Sequence, residues 1–329
     1  MILVLGGAGY IGSHAVKMLI EKGESVVVVD NLETGHREAV HEAARFYEVD
    51  IRNLNAFESV FAENKIESII HFSANSLVGE SVSAPIKYFE NNVAGAVNVL
   101  KMMEKYKVDK IVFSSTAAVY GEPKQIPITE DSETQPTSPY GESKLMMERM
   151  FKWSDLAHNI RFVSLRYFNV AGADASGLIG EAHGVETHLI PLVLQVPLGK
   201  REAITIFGDD YPTKDGTCIR DYIHVTDLIE AHIAALSYLR AGGKSDIFNL
   251  GSGDGFSVLE IIEVARRVTG HPIPALVAGR RAGDPSTLIA SSERAMNILG
   301  WEPRLTDVET IVKDAWHWHK NHPDGFQNK

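Results

Sequence analysis

The sequence predicts an α/β protein with a doubly wound parallel sheet and a smaller C-terminal α/β domain. Short apolar runs recur along the first half of the chain, and amphipathic stretches of helical length separate them. Runs that are apolar throughout are typical of parallel strands covered by helices on both faces. After about residue 169 the alternation breaks, as Gly, Asp, Pro and His become common. We therefore expect a first domain over residues 1–168 and a second over 169–329, with some interleaving of the chain.

Six apolar runs predict the strands of the first domain. They are MILVL (1–5), SVVVV (25–29), RFYEV (45–49), SIIHF (68–72), KIVFSS (110–115) and RFVSLRYF (161–168). Amphipathic patterns predict helices, for example over 11–22, 53–64, 85–107 and 141–158, and later over 225–241, 257–269 and 306–321. The motif WHWHK (316–320) lies in the last of these helices. We interpret it as an aromatic packing face with solvent-exposed histidines, and we expect no metal site.

Composition excludes several classes of function. The 329 residues carry a formal net charge of −11, whereas a nucleic-acid surface needs clustered Lys and Arg. No apolar run approaches the length of about 18 residues that spans a bilayer. A single cysteine, Cys218, suits a reducing compartment. We expect a cytoplasmic protein that has neither a nucleic acid nor a membrane as partner.

The N-terminal motif GGAGYIG places Gly6, Gly9 and Gly12 directly after a predicted strand and at the start of a helix. Glycines there let the backbone turn tightly and approach a pyrophosphate, which then rests on the helix N-terminus. The second predicted strand is followed by Asp30, eighteen residues after Gly12. A carboxylate at that point accepts hydrogen bonds from ribose hydroxyls and repels a 2′-phosphate. These features predict a Rossmann domain that binds NAD in preference to NADP.

The segment SPYGESKLMMERM (138–150) carries Tyr140 and Lys144 one helical turn apart, so both side chains lie on one helix face. Tyrosine with a pKa near ~10 is a poor base. A nearby ammonium and a bound nicotinamide cation would both lower that pKa. The predicted strand before it ends in SSTAAVYG, and a hydroxyl there can hydrogen-bond the oxygen whose proton the tyrosine takes. We predict Thr116 as the catalytic hydroxyl and assign Ser114 to capping the next segment.

Several motifs together identify a resemblance. GGAGYIGSH, VVDNLETG, FSSTAAVYGEP, SPYGESKLMMER, LRYFNVAGA, AITIFGDDYPTKDGTCIRDYIHVTDL and RRAGDP occur in order along the whole chain. They resemble the extended short-chain dehydrogenases and, more narrowly, the UDP-glucose 4-epimerases, which interconvert UDP-glucose and UDP-galactose. The block from Phe207 to Asp227 is the most specific part of the resemblance.

The resemblance implies roles for individual residues. Thr116, Tyr140 and Lys144 would be catalytic. The residues that would contact NAD are Gly6, Gly9, Tyr10, Ile11, Gly12, Asp30, Asn31, Thr34, Gly35, Asp50, Ile51, Phe72, Ser73, Ala74, Asn91, Ser115, Tyr140, Lys144 and Phe168. The residues that would contact the UDP-sugar are Thr116, Asn169, His188, Leu189, Phe207, Arg220, Arg281 and Asp284. In an acidic protein, the two arginines are suited to the diphosphate, because a guanidinium group pairs with it through two parallel hydrogen bonds.

Three positions depart from the family pattern. Ser76 stands where some epimerases carry a lysine, His188 stands where an asparagine is frequent, and Leu288 lies where side-chain bulk governs access for N-acetylated sugars. The resemblance implies interconversion of UDP-glucose and UDP-galactose through a 4-keto sugar, with tightly bound NAD and Tyr140 as base. The alternative is an epimerase or decarboxylase that acts on UDP-N-acetylglucosamine, UDP-glucuronate or a UDP-pentose.

Two further alternatives are a nucleotide-sugar 4,6-dehydratase and a non-catalytic NAD-binding regulator. The dehydratase needs an acid and a base after the catalytic threonine, where this chain has Ala117 and Ala118. Regulators of this type commonly lose the tyrosine or the lysine, and this chain keeps both. The resemblance further implies a homodimer formed through the predicted helices 85–107 and 141–158.

Overall fold

The computed structural model describes residues 1–281 and 284–326, and its strands alternate with helices along the first half of the chain. In chain order the strands are β1 (Ile2–Leu5), β2 (Val26–Asp30), β3 (Arg45–Glu48), β4 (Ser68–His71), β5 (Lys110–Ser114), β6 (Arg161–Tyr167), β7 (Asn169–Ala171), β8 (Ile204–Phe207), β9 (Ile219–His224), β10 (Asp246–Leu250), β11 (Gly255–Ser257), β12 (Ala275–Ala278) and β13 (Thr287–Leu288).

Seven of these strands form one parallel sheet in the order β10–β6–β5–β4–β1–β2–β3. The reversal of strand order on either side of β1 confirms the predicted doubly wound architecture. All six predicted strands are present, with ends that differ from the prediction by at most one residue. The seventh strand, β10, comes from the second half of the chain and was not predicted.

The helices cover this sheet and build the second part of the molecule. They are α1 (Tyr10–Glu21), α2 (Leu54–Glu63), α3 (Val78–Ser83), α4 (Pro85–Tyr88), α5 (Gly95–Tyr106), α6 (Pro139–His158), α7 (Leu189–Leu194), α8 (Val225–Arg240), α9 (Val258–Thr269), α10 (Glu293–Leu299) and α11 (Val308–Asn321). None of the helices in the described part of the chain combines the length and the apolar character that crossing a bilayer requires.

The predicted helix 85–107 is interrupted, which corrects the expectation of one regular helix. Between α4 and α5 the residues Phe89–Ala94 form a π-helical segment, so the backbone stays helical but is locally widened. Such segments are rare and are frequent at functional sites. Here the segment contains Asn91 and Asn92, both buried beside the cavity described below.

Alternate side chains of the sheet fill two cores, one on each face, because successive residues of a strand point in opposite directions. Val4 and Val28 belong to the core that includes Leu228 and Leu236 of α8. Leu3 and Val27 belong to the opposite core, with side chains of α2, α5 and α6. The central strands β1 and β2 are fully buried, which explains why they are apolar at every position.

A third core lies outside the large sheet and unites α7, α9 and α11 with β7, β8 and β9. Two small sheets flank it: β9 pairs with β7, β11 and β13, and β8 pairs with β12. The fully buried Trp318 belongs to this region, as expected for a packing role of WHWHK, and its indole donates to the carbonyl of Glu181 at 2.9 Å. The exact boundary after residue 168 stays a prediction, because β10 and α8 return to the large sheet.

Candidate active site

The turn between β1 and α1 brings the backbone unusually close to itself. Gly6 has φ +78°, a left-handed conformation that favours glycine. A Cβ atom on Gly12 would lie 2.0 Å from the carbonyl oxygen of Gly6, so no other residue fits there without a backbone shift. The result is a tight crossing that leaves the first amides of α1 facing outward from the end of the sheet. These amides and the helix dipole form an anion-binding end.

Asp30 lies at the carboxyl end of β2, next to this turn. Its Oδ2 accepts from the amide of Ala8 and its Oδ1 from the amide of Leu32, both at 2.9 Å. These bonds fix the carboxylate in place and join the glycine turn to the second strand. Burial raises the pKa of Asp30, while the two amides oppose that shift. Each carboxylate oxygen retains a second lone pair for a ribose hydroxyl.

A cavity of about 1270 Å³ runs along the carboxyl ends of the parallel strands. It extends from the glycine turn and Asp30, past Tyr140, to Arg220 and Arg281 in the second part of the chain. Open α/β sheets bind ligands at this edge, where the strand order reverses. The cavity is therefore placed to hold a dinucleotide at one end and a second ligand at the other.

Tyr140 and Lys144 lie in the first turns of α6, where the side chain of Ser138 caps the helix and Pro139 occupies its first position. Lys144 is 3% exposed, and its ammonium donates to the carbonyl of Ser114 at 2.8 Å. The same nitrogen lies 6.0 Å from the centroid of the Tyr140 ring. The predicted spacing thus places both side chains at one wall of the cavity.

Burial controls the protonation of this pair. It raises the pKa of Tyr140, and a hydrogen bond with Thr116 only partly offsets the rise. It lowers the pKa of Lys144 to about 7, against the opposing charge of Glu148. The expected lowering of the tyrosine pKa included the charge of a bound nicotinamide cation and stays a prediction. In the chain by itself desolvation has the largest effect on the pKa of Tyr140, so a low pKa requires the charge of a bound cofactor.

The hydroxyl groups at the end of β5 have different tasks. Thr116 forms a hydrogen bond with Tyr140, whereas its hydroxyl was predicted to contact the substrate oxygen, and its Oγ1 also accepts from the amide of Ala118 at 3.1 Å. Thr116 therefore performs the capping that we had assigned to Ser114, whose hydroxyl instead forms a short hydrogen bond with Tyr167. The Ser115 hydroxyl donates to Glu148 at 2.6 Å. Only Thr116 combines a position at the cavity with a contact to the tyrosine hydroxyl.

The other end of the cavity carries the two predicted arginines. Arg220 forms an ion pair with Asp284, and the thiol of Cys218 lies 3.7 Å from the same carboxylate. The guanidinium carbon of Arg281 lies 4.1 Å above the centre of the Phe207 ring. One oxygen of Asp284 therefore orients Arg220, and Arg281 covers the Phe207 ring. The contact of Asp284 with the UDP-sugar stays a prediction.

Comparisons with known proteins agree with this geometry. Residues 2–251 match the NAD dependent epimerase/dehydratase family. The UDP-glucose 4-epimerase of Lacticaseibacillus casei is 58% identical over 100% of this chain and 99% of its own. A crystal structure of a UDP-glucose 4-epimerase shares 56% identity and a TM-score of 0.98 over 99% of both chains. The enzyme from Bifidobacterium longum, solved with NAD⁺ and UDP, is 40% identical with a TM-score of 0.93, over 99% of both chains.

The chain belongs to the UDP-glucose 4-epimerase family. Family membership covers the whole length of the chain, including the C-terminal part that carries Arg220 and Arg281. The two ends of the cavity therefore belong to one epimerase fold, and no region of the sequence stands outside the match.

Most residues predicted to contact ligands line this single cavity in the epimerase fold. Those lining it are Gly6, Gly9, Tyr10, Ile11, Gly12, Asp30, Asn31, Thr34, Asp50, Ile51, Phe72, Ser73, Ala74, Asn91, Thr116, Tyr140, Lys144, Phe168, Asn169, His188, Leu189, Phe207, Arg220, Arg281 and Asp284. Their individual roles stay predictions.

Two predicted cofactor contacts lie away from the cavity. Ser115 is 1% exposed and its hydroxyl is bound to Glu148. Gly35 packs against Ala8 and Asp30, where a Cβ would come within 3.0 Å of both. The family resemblance implied contact, but the backbone turns their side-chain positions inward. Any contact that they make with a cofactor would come from the main chain.

The sequence analysis also missed part of the cavity wall. Residues Leu77–Glu80 at the start of α3 line the cavity, as do Tyr167, His183 and Tyr222. The short helix α3 has no clear periodicity of its own, so its position beside the site was not visible in the sequence. The repeated spacing of Glu and His in EAHGVETH (181–188) was the one available signal for His183.

Proposed function

We propose that the protein interconverts UDP-glucose and UDP-galactose by transient oxidation of the sugar at C4. The observation that carries this proposal is the buried Tyr140–Lys144 pair, which lies midway along a cavity with a dinucleotide turn at one end and two arginines at the other. Epimerisation at C4 needs this arrangement, because one buried base must serve a cofactor and a nucleotide sugar together.

The residues at the first end fit NAD, the cofactor of the family. The Gly6–Gly12 crossing leaves room that a Cβ would fill, as a pyrophosphate on the helix end requires. Asp30 is fixed at the position where a ribose carries its hydroxyls, and its charge disfavours a 2′-phosphate. When bound, NAD supplies the acceptor that oxidises C4 to a ketone and the hydride that later reduces it.

Tyr140 acts as the base that takes the proton of the sugar 4-hydroxyl and afterwards returns it. Thr116 holds the tyrosine hydroxyl by a hydrogen bond and can pass the proton over a short distance. Lys144 is anchored at the Ser114 carbonyl, so its ammonium stays beside the tyrosine. This ammonium stabilises the phenolate once the surroundings also carry the positive charge of the oxidised cofactor.

The second end holds the UDP part firmly while the sugar stays free to turn. Arg220 and Arg281 supply guanidinium groups for the diphosphate, and Phe207 supplies an aromatic face. Asp284 keeps Arg220 oriented until the diphosphate arrives. Because the anchoring groups lie away from Tyr140, the keto sugar can swing about its link to the diphosphate and present its other face.

Two rival reactions lack the groups they need. Ala117 and Ala118, which line the cavity after Thr116, cannot transfer the protons of a dehydration across C5 and C6. A purely regulatory NAD-binding protein has no need of the Thr116–Tyr140 hydrogen bond or of the buried Lys144. The contacts therefore favour a catalyst that returns the substrate without loss of water.

N-acetylated UDP-sugars form the second candidate substrate class. Leu288 lines the cavity and is held in β13 by pairing with Arg220 of β9. It also packs against Val119, Tyr120 and Leu145. A leucine is intermediate in size, so it leaves intermediate space for an N-acetyl group at the sugar end of the cavity. UDP-N-acetylgalactosamine should therefore be assayed in parallel with UDP-galactose.

A homodimer is part of the same proposal. Large apolar side chains are exposed on α6, where Trp153 is 71% and Leu156 68% exposed, and on the neighbouring α3 and α4, where Val82 and Ile86 are exposed. A second copy that covered α6 and the helices beside it would bury these side chains. Light scattering after gel filtration should give twice the chain mass, and Trp153→Glu should lower it. Leu178→Glu, at another exposed leucine, should not.

We also place the protein in the cytoplasm, because the buried free thiol of Cys218 is compatible with a reducing compartment. Fractionation of cells that express the untagged protein would test this placement, and recovery in an exported fraction would contradict it.

The deciding experiment is incubation of purified protein with UDP-galactose, without added cofactor, followed by chromatography of the nucleotide sugars. UDP-glucose should appear, since the cofactor ends each cycle as it began. Tyr140→Phe removes only the hydroxyl and should reduce kcat by about 10²–10⁴-fold, the usual contribution of acid–base catalysis, while bound NAD is retained. If UDP-galactose returned unchanged even after NAD was supplied, the UDP-hexose assignment would be wrong.

A further inference from the structure

Four side chains in the loop before α7 form a compact group, and none of the proton or hydride transfers of the epimerisation uses them. We call Glu181, His183, Glu186 and His188 the Glu–His cluster. One carboxylate oxygen or ring nitrogen from each residue lies within 4.8 Å of those of the other three. All four come from the eight-residue stretch EAHGVETH, so a single loop supplies the whole group.

Three His–Glu distances within the Glu–His cluster are close to those between the ligands of a small metal ion. Nδ1 of His183 lies 3.3 Å from a Glu181 oxygen and 3.4 Å from a Glu186 oxygen, and Nδ1 of His188 lies 3.6 Å from the other Glu186 oxygen. Tetrahedral bonds of about 2.0–2.1 Å to Zn²⁺ place ligand atoms about 3.3 Å apart. The His188–Glu181 separation of 2.5 Å is shorter, and it would have to open by less than one ångström.

The charges in the Glu–His cluster are compatible with a bound cation. The side chains of Glu181 and Glu186 are 4% and 8% exposed. In the described part of the chain, histidines are the only cationic partners of these two carboxylates. Buried carboxylates are costly unless they are paired or bound to a metal. Once both imidazoles are neutral, as metal ligands must be, the two carboxylates carry a charge of −2, which one divalent ion neutralises.

We propose that the Glu–His cluster binds a divalent transition-metal ion of the zinc type. Imidazole nitrogen and carboxylate oxygen are both ligands that Zn²⁺ accepts, and four protein ligands make a closed structural site. The proposal does not rest on the epimerase reaction, because none of its steps uses the ion.

The position of the Glu–His cluster suggests what the ion would do. Its loop ends at Leu189, the first residue of α7, and His188 and Leu189 both line the cavity beside the UDP-sugar end. Glu181 is held at its backbone by the indole of Trp318. An ion on the four side chains would therefore tie this part of the cavity wall to α11 and to the third core.

The test uses full-length protein without a histidine tag, purified from medium that contains zinc and analysed for metal by mass spectrometry. We expect one zinc ion per chain, and visible absorption bands of tetrahedral Co²⁺ after cobalt replaces it. Glu186→Gln and His183→Ala should each lower the zinc content at least several-fold. His158→Ala should leave the zinc content unchanged, because it removes an imidazole on the surface of α6 that pairs with Glu104 of α5.

Thermal melting provides a second measurement that does not depend on activity. Added zinc should raise the Tm of metal-depleted wild-type protein and of His158→Ala, but not that of His183→Ala. The proposal is overturned if wild-type protein retains no zinc and its Tm does not respond to zinc. It is equally overturned if Glu186→Gln and His183→Ala bind as much zinc as wild type, since the ion would then lie elsewhere. Failure of the UDP-galactose assay would leave these results untouched.

Discussion

The ion pair beneath the catalytic wall allows a quantitative prediction. Arg166 of β6 and Glu148 of α6 are joined by two parallel hydrogen bonds of 2.9 and 2.6 Å, and their side chains are 4% and 3% exposed. Arg166 also donates to the Tyr120 hydroxyl at 2.9 Å, and Ser115 donates to Glu148 at 2.6 Å. Glu148→Gln keeps the shape of this network but leaves a buried guanidinium without a counter-charge.

The expected cost follows from burial. Removal of one partner of a buried ion pair costs about 3–5 kcal/mol of unfolding free energy, since the remaining charge is still desolvated. At about 2 °C per kcal/mol, the lower end for large chains, the Tm should fall by roughly 6–10 °C. The Lys124–Glu133 pair, with side chains 83% and 65% exposed, is the matched control. An exposed pair contributes about 0–1 kcal/mol, so Glu133→Gln should shift the Tm by no more than about 2 °C.

The assay is thermal melting of wild type, Glu148→Gln and Glu133→Gln at one scan rate, with urea denaturation as a second measure. Replacing both partners, as Glu148→Leu with Arg166→Met, should recover much of the loss, because apolar residues of similar volume need no counter-charge. If Glu148→Gln melted within about 2 °C of Glu133→Gln, the guanidinium would be solvated in solution and the reasoning would be refuted.

Three further predictions concern the cofactor turn, acid stability and the substrate end. Gly12→Ala places a Cβ 2.0 Å from the Gly6 carbonyl oxygen, so the purified protein should lose its bound NAD. Absorbance of the nucleotide released by denaturation measures this loss. Gly279→Ala is the control and should keep NAD, because a Cβ there meets no atom within 4 Å. Burial lowers the pKa of His232 to about 4, so its share of the stability is complete above pH 6.5 and is lost as the pH falls towards 4; His232→Phe should flatten the dependence of Tm on pH in that window. Arg281→Ala should raise the KM for UDP-galactose by about 10–100-fold, because a charged hydrogen bond is lost. Arg280→Ala is the control and should change the KM little, since Arg280 pairs with Asp210. Equal effects of the two substitutions in steady-state kinetics would show that Arg281 does not hold the diphosphate.

The sheet was predictable because the burial of its strands on both faces shows directly in their own apolar sequence. Every residue of β1 and β2 is buried, so the runs MILVL and SVVVV carry the signature of strands covered on both faces. The glycine turn was predictable for a similar reason, since its spacing is imposed by contacts within twelve residues. Fold class and the cofactor end therefore follow from short-range physics.

What the sequence did not reveal depends on distant contacts. Strand β10 pairs with β6 across more than 80 positions, and DIFNL alone does not show which sheet it joins. The π-helical segment in front of α5 fits the ordinary amphipathic pattern, so no local signal announced it. The pKa of Tyr140 is raised because the folded chain buries the side chain. The Tyr140–Lys144 spacing indicated only that an ammonium lies near the tyrosine. The partnership of Arg220 with Asp284, 64 positions apart, was hidden in the same way.

The late arrival of β10 has a consequence for synthesis on the ribosome. Val163 of β6 pairs with Asp246, which is made 83 residues later. At about 5–20 residues per second, that interval lasts roughly 4–17 s. During this time β6 is an unpaired edge of a very apolar sheet. Its free backbone groups can pair with another strand, including one from a neighbouring nascent copy. The yield of active protein should therefore depend on translation speed between residues 168 and 250, and on chaperones that cover the edge of β6 until its partner emerges.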